Sequence, residues 1–205
     1  FTSFALTAVI YAVINYTSSQ IREPIAALWS LRLVIFSATW YSFFLYQFFY
    51  VFPAVQFQYS RAHKYIILPA VFIISGITLS PYIFSGIVSI PPKGQVPVAQ
   101  VENSILLFVG LILFLVVGGI YFLISKTIRA EIERRGQYKF VLAGTIITFS
   151  LILVFNLILP AIYLDVRYIP LAPVFTLPFI ILTAYAIVKH HLFNVRVIAT
   201  ELFIF

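Results

Sequence analysis

Residues 24–53 read PIAALWSLRLVIFSATWYSFFLYQFFYVFP. The run opens on Pro24, which suits a first helical turn because the N–H it lacks has no intrahelical partner there. It closes on Phe-Pro, a pair at which helices end. Between them stands one charged side chain, Arg32. A stretch this apolar exceeds the roughly 20 residues that cross a bilayer as a helix. It lacks the period-two alternation of a barrel strand and is too long for one. Residues 24–52 therefore read as a transmembrane helix, and the rest of the chain is read outward from it.

The whole chain is built in the same manner. Of its 205 residues 62% are hydrophobic and 9% charged, with a mean hydropathy of +1.07, where a soluble domain has about 25% charged residues. There is too little polar sequence to cover a water-facing surface, so lipid is the solvent. The fold class is all-α, a polytopic transmembrane bundle. Six spans are expected, at 1–16, 24–52, 65–90, 104–125, 140–159 and 170–188, with a kink or break at Pro81 in the third. Residues 189–205 read as the start of a linker or of a further apolar helix. With no Met in the sequence, the chain reads as a piece of a longer one, and no signal peptide opens it. Cys is absent, which excludes disulfides and thiolate metal sites.

Lys and Arg set the direction. Nine of them (Arg61, Lys64, Lys126, Arg129, Arg134, Arg135, Lys139, Lys189 and Arg196) fall at one set of span ends, against three (Arg22, Lys93 and Arg167) at the other. Cytoplasmic loops are the basic ones, so both termini are placed in the cytoplasm of a cell with a multi-pass protein in its inner membrane. The net charge of +7 is spent on these connections; it forms no patch for nucleic acid. The outward segment 91–103, with three prolines and a glycine, reads as an extended linker, so no soluble ligand-binding domain is expected. The inward segment 125–140, SKTIRAEIERRGQYKF, reads as the fourth helix continuing until Gly136 breaks it. Its bases serve as a membrane anchor or as a docking edge for a cytoplasmic domain.

Arg32 is the candidate ligand contact, because a charge inside a span is costly and tends to mark function. Two readings stand: the side chain snorkels to the headgroups, or it points into the bundle and binds something. Trp29, Phe36, Phe43 and Tyr50 recur every seven residues beside it, with Trp40 and Gln47 nearby, as a packing seam or the wall of a ligand site. Asn15 and Asn156 suit interhelical hydrogen bonds, and Gly110, Gly118, Gly119 and Gly144 suit close helix approach. His190 and His191 point about 100° apart on a helix and His63 lies on another loop, so no metal site is expected. No catalytic residues and no cofactor are read: there is no H-E-x-x-H, no intramembrane carboxylate pair and no nucleotide-binding glycine loop.

Two stretches carry a resemblance. Residues 134–163, RRGQYKFVLAGTIITFSLILVFNLILPAIY, have a basic loop, Gly144 and the N-x-x-x-P of Asn156 to Pro160. Residues 169–203, IPLAPVFTLPFIILTAYAIVKHHLFNVRVIATELF, close a helix in the run Tyr185 to Val195. Together they resemble the C-terminal part of the seven-helix N-terminal region of membrane histidine kinases, with His191 where many relatives have Arg and Asn194 where Asp is common. The resemblance implies one more helix ahead of Phe1. It also implies a signalling exit at Tyr185, Lys189, His190, Leu192 and Phe193, followed by cytoplasmic kinase domains that act as a homodimer on a response regulator. The competing reading is a small transporter or channel, for which Arg32 and the break at Pro81 are the available marks.

Overall fold

The computed structural model describes residues 2–52, 60–92, 94–130, 132–163 and 167–189. Helix α1 spans Thr2–Ser18 and α2 spans Pro24–Val51. The Glu23 carboxylate accepts the amides of Ile25 and Ala26, closing the start of α2 with a negative charge against the helix dipole. Helix α2 is the axis of the protein, packing against α1, against α3 (Leu68–Thr78), against α4 (Ile105–Arg129) and against the strand β1 (Phe84–Ser89). Half of its apolar window is buried, compared with 22 to 28% for the other candidate spans. Helix α5 (Ile132–Leu153) runs on through α6 (Leu159–Tyr163). It pairs with the last helix, α8 (Leu177–Lys189), which follows the short α7 (Ala172–Phe175).

Among the described residues, two helices pass through a widened π turn, at His63–Ile67 and at Val154–Ile158. In each case a proline, Pro69 or Pro160, stands two residues beyond the turn. Proline has no N–H and crowds the carbonyl four residues back, and a π turn carries the chain past that carbonyl without ending the helix.

Three expectations are corrected here. The third apolar run is not helical over 65–90: α3 ends at Thr78, and β1 pairs antiparallel with β2 (Val98–Val101), Phe84 opposite Val101 and Ile87 opposite Ala99. The hydroxyls of Thr78 and Ser80 take the carbonyls of Ser75 and Ile77, so side chains satisfy the helix end. Pro81 disfavours a helical backbone at the residue before it, Ser80. For the same reason 91–103 is not simply an extended linker, since its last part is strand and Gly94, at φ 92°, donates its amide to the Ser19 carbonyl. The fourth helix stops at Ala130, whose backbone is extended, and Gly136 lies inside α5. Arg135 Nη2 reaches back to the Ile128 carbonyl, taking one of the acceptors that a helix C-terminus leaves open.

Among the described residues, four helices are long and apolar enough to cross a membrane: Pro24–Val51, Ile105–Arg129, Tyr138–Asn156 and Ile169–Ala186. The apolar helices Ser3–Ser18 and His63–Thr78 are shorter, rising about 24 Å against a hydrocarbon core of about 30 Å. With this composition, the chain is a helical membrane protein.

Candidate functional site

Among the described residues, helix α2 makes polar contacts near its start, at Gln47 and at its end. Near its start, Arg32 is 6% exposed. Its Nη2 donates to the Phe84 carbonyl of β1 at 2.7 Å, and its guanidinium carbon lies 5.1 Å from the Trp29 ring centroid. Leu31, Ile83, Phe84 and Val96 form an apolar cluster at this end. The backbone explains the contact: because α3 stops at Thr78, the chain folds over the start of α2, and Phe84 is the first residue of the strand that lies there. Beside it the end of α1 is held by buried polar groups. Asn15, 1% exposed, donates from Nδ2 to the Ile169 carbonyl at 3.2 Å.

Other aromatic residues of the seam face elsewhere. Trp40 packs edge-on against Phe72 of α3 with ring centroids 5.0 Å apart, and Phe36 lies against Trp40. Gln47 Nε2 lies 3.3 Å from His63 Nε2, an amide N–H meeting a ring nitrogen, and the His63 ring stacks among Phe43, Tyr46 and Tyr50. Trp29, by contrast, is half exposed. Arg32 and Trp29 thus belong to one site and Trp40 and Gln47 to another. Residues 32 and 47 are about 22 Å apart along the helix.

At the far end of α2 stands a residue that the sequence presented only as an anchor. Lys126 Nζ donates to the carbonyls of Phe49, Tyr50 and Phe52 at 2.9, 2.6 and 2.6 Å. These carbonyls belong to the last turn of α2, which has no basic residue of its own, so an ammonium on α4 supplies the C-terminal charge and the donors.

Helices α5 and α8 meet closely. A Cβ on Gly144 would come within 3.0 Å of the Phe179 Cα and 3.1 Å of the Pro178 carbonyl oxygen. The Phe179 amide, an unsatisfied donor in the first turn of α8, finds the Thr148 hydroxyl at 3.1 Å. The Phe179 ring then sets its edge on Phe4 of α1 and on Phe48 and Phe49 of α2, with centroids 5.6 to 6.1 Å apart. Further along α8, Tyr185 packs edge-on against Phe140 at 4.9 Å. Lys189 is the last residue of α8; His190, Leu192 and Phe193 lie outside the described residues. Among the described residues no three His, Asp or Glu side chains gather to hold a metal. No protein-family model, curated protein or solved structure matches the chain.

Proposed function

We propose that the chain is the membrane-embedded input module of a prokaryotic sensor histidine kinase, a multi-pass bundle in the inner membrane with the β1–β2 hairpin outside and the Lys126 end of α2 in the cytoplasm. The observation that carries the reading is Phe179. This one residue joins α8, whose end leads to the proposed exit at Lys189, to α1 and α2 through its ring and to α5 through its main-chain amide. Helix α2 is in turn bonded to the hairpin through Arg32. A stimulus that favours one arrangement of the hairpin over another has a packed route to α8, which is what a two-state input element requires. The resemblance of residues 134–203 supports the same reading, as does the excess of basic residues at the Lys126 end. In the resulting bundle all six apolar helices lie in the bilayer, α1 and α3 being the short ones.

The test is a chimera with a phospho-accepting helix and an ATP-binding kinase domain fused after Phe205, assayed for autophosphorylation in membrane vesicles. Phe179→Ala removes the ring that bridges the helices, and Phe179→Leu keeps most of its volume. At equal membrane levels, Phe179→Leu is expected to change basal phosphorylation severalfold and Phe179→Ala at least as much. Output equal to wild type in both variants would overturn the input reading. The interrupted third helix and the intramembrane Arg32 favour a transporter as the second reading, and the purified chain in proteoliposomes decides that point: the input module passes no solute or ion, whereas a transporter does.

A further inference from the structure

Arginine stays protonated in proteins and carries five N–H donors. Arg32 is nearly buried, yet among the described residues it makes one hydrogen bond, to Phe84, and its Nε–H is buried without an acceptor. Among the described residues, the two carboxylates on this side of the protein are engaged elsewhere. Glu23 caps the start of α2, and Glu102 accepts the Ser85 hydroxyl at 2.6 Å. Among the described residues, a carbonyl dipole and an indole face are left to balance a full charge beside Leu31, Ile83, Phe84 and Val96. Burying a cation without a counter-charge is strongly unfavourable.

The surroundings indicate what supplies that charge. Ile25, Trp29 and Leu33 follow one another at four-residue spacing on α2, a single helix face, and all three are exposed, at 69, 48 and 40%. Arg32 lies against the Trp29 of this stripe. At 28 residues, α2 is about 42 Å long, so when centred it overhangs a core of about 30 Å by about 6 Å at each end. Arg32, about 12 Å from the start of α2, then has its Cα about 6 Å below the hydrocarbon boundary. Its side chain runs toward the start of α2, over Trp29 one turn back, within reach of the headgroup level.

We propose that Arg32 anchors a binding site for an oxyanion, a phosphate or carboxylate carried on an amphiphile, whose tail lies along Ile25, Trp29 and Leu33. The anion completes the hydrogen bonding of the guanidinium fork, for which phosphate and carboxylate have the matching geometry. The site does not depend on what lies beyond α8, and a transporter with this structure would have it as well.

Trp29 reports occupancy. In a Trp40→Phe background it is the sole indole, because the chain has two tryptophans. The full chain is placed in nanodiscs of phosphatidylcholine with rising fractions of phosphatidylglycerol, and Trp29 emission is followed. In a separate arm, inorganic phosphate is titrated into pure phosphatidylcholine discs. The expected result is a saturable response to phosphatidylglycerol that weakens at least tenfold in Arg32→Gln and by a smaller factor in Arg32→Lys, which keeps the charge and loses the fork. The Lys variant keeps the comparison available if the Gln variant does not fold. A response confined to inorganic phosphate overturns the amphiphile. A response that is absent, or the same in wild type and the Arg32→Lys and Arg32→Gln variants, overturns the site.

Discussion

Gly144→Leu is expected to push α5 and α8 apart and to destabilise the protein by about 3 kcal/mol, the upper part of the range for overpacking a closely fitted position. The atoms that a side chain would meet at Gly144 are the Phe179 Cα, the Pro178 carbonyl oxygen and the Leu182 Cβ, at 3.0 to 3.2 Å. Two of the three are main chain, so no rotamer change makes room. Separation of the helices also withdraws the Phe179 amide from the Thr148 hydroxyl, leaving a buried donor without a partner. The control is Gly110→Leu, where nothing lies within 4 Å of the added carbon and replacing glycine favours the helix. Unfolding midpoints in detergent should fall by several degrees for Gly144→Leu and stay level or rise for Gly110→Leu. Equal midpoints for the two variants would show that α5 and α8 are not in close contact.

Lys126→Met has the second large effect. Methionine occupies much of the same space, but it leaves the carbonyls of Phe49, Tyr50 and Phe52 without their shared donor. Each is a helix-terminal acceptor at a part-buried site, and hydrogen bonds to a charged group contribute about 1.5 to 3 kcal/mol. Water reaching the opened helix end recovers some of this, so the expected loss is about 3 kcal/mol in total. Lys126→Arg keeps the charge, but its planar fork does not converge on three acceptors as an ammonium does, and a smaller loss is expected. Hydrogen exchange localises the effect: the amides of the last turn of α2 should exchange faster in Lys126→Met while those around Arg32 keep their protection. A midpoint and exchange pattern equal to wild type would mean that Lys126 does not hold α2.

Local chemistry made the helices legible. Pro24 and the Phe-Pro after Val51 mark α2, and the apolar runs place α1, α4, α5 and α8. The hairpin was not legible because FSGIVSI is as apolar as a span, and strand pairing depends on a partner segment that an apolar run does not announce. The Ser-Pro at 80–81, the Pro-Pro at 91–92 and Gly94 were the available signals. In the sequence Lys126 reads as one base among nine, because its acceptors lie 74 to 77 positions earlier in the chain and such a pairing leaves no spacing to read. For Arg32 the sequence left two orientations open, and the side chain lies toward the start of α2 while the hairpin covers it. Among the glycines, the neighbours decide: Gly144 faces main chain and Gly110 faces open space.

The absence of native cysteine allows the account to be tested by thiol labelling of single-cysteine variants. Gln100→Cys places a thiol on β2 of the hairpin, and Ser60→Cys places one near the Lys126 end of α2; both positions are exposed. With a membrane-impermeant maleimide on intact cells, the proposed orientation predicts labelling of Gln100→Cys, and labelling of Ser60→Cys only once the membrane is opened. Labelling of Ser60→Cys in intact cells, or of both from one side, would contradict a bundle that receives its stimulus outside at the hairpin and delivers it inside through α8.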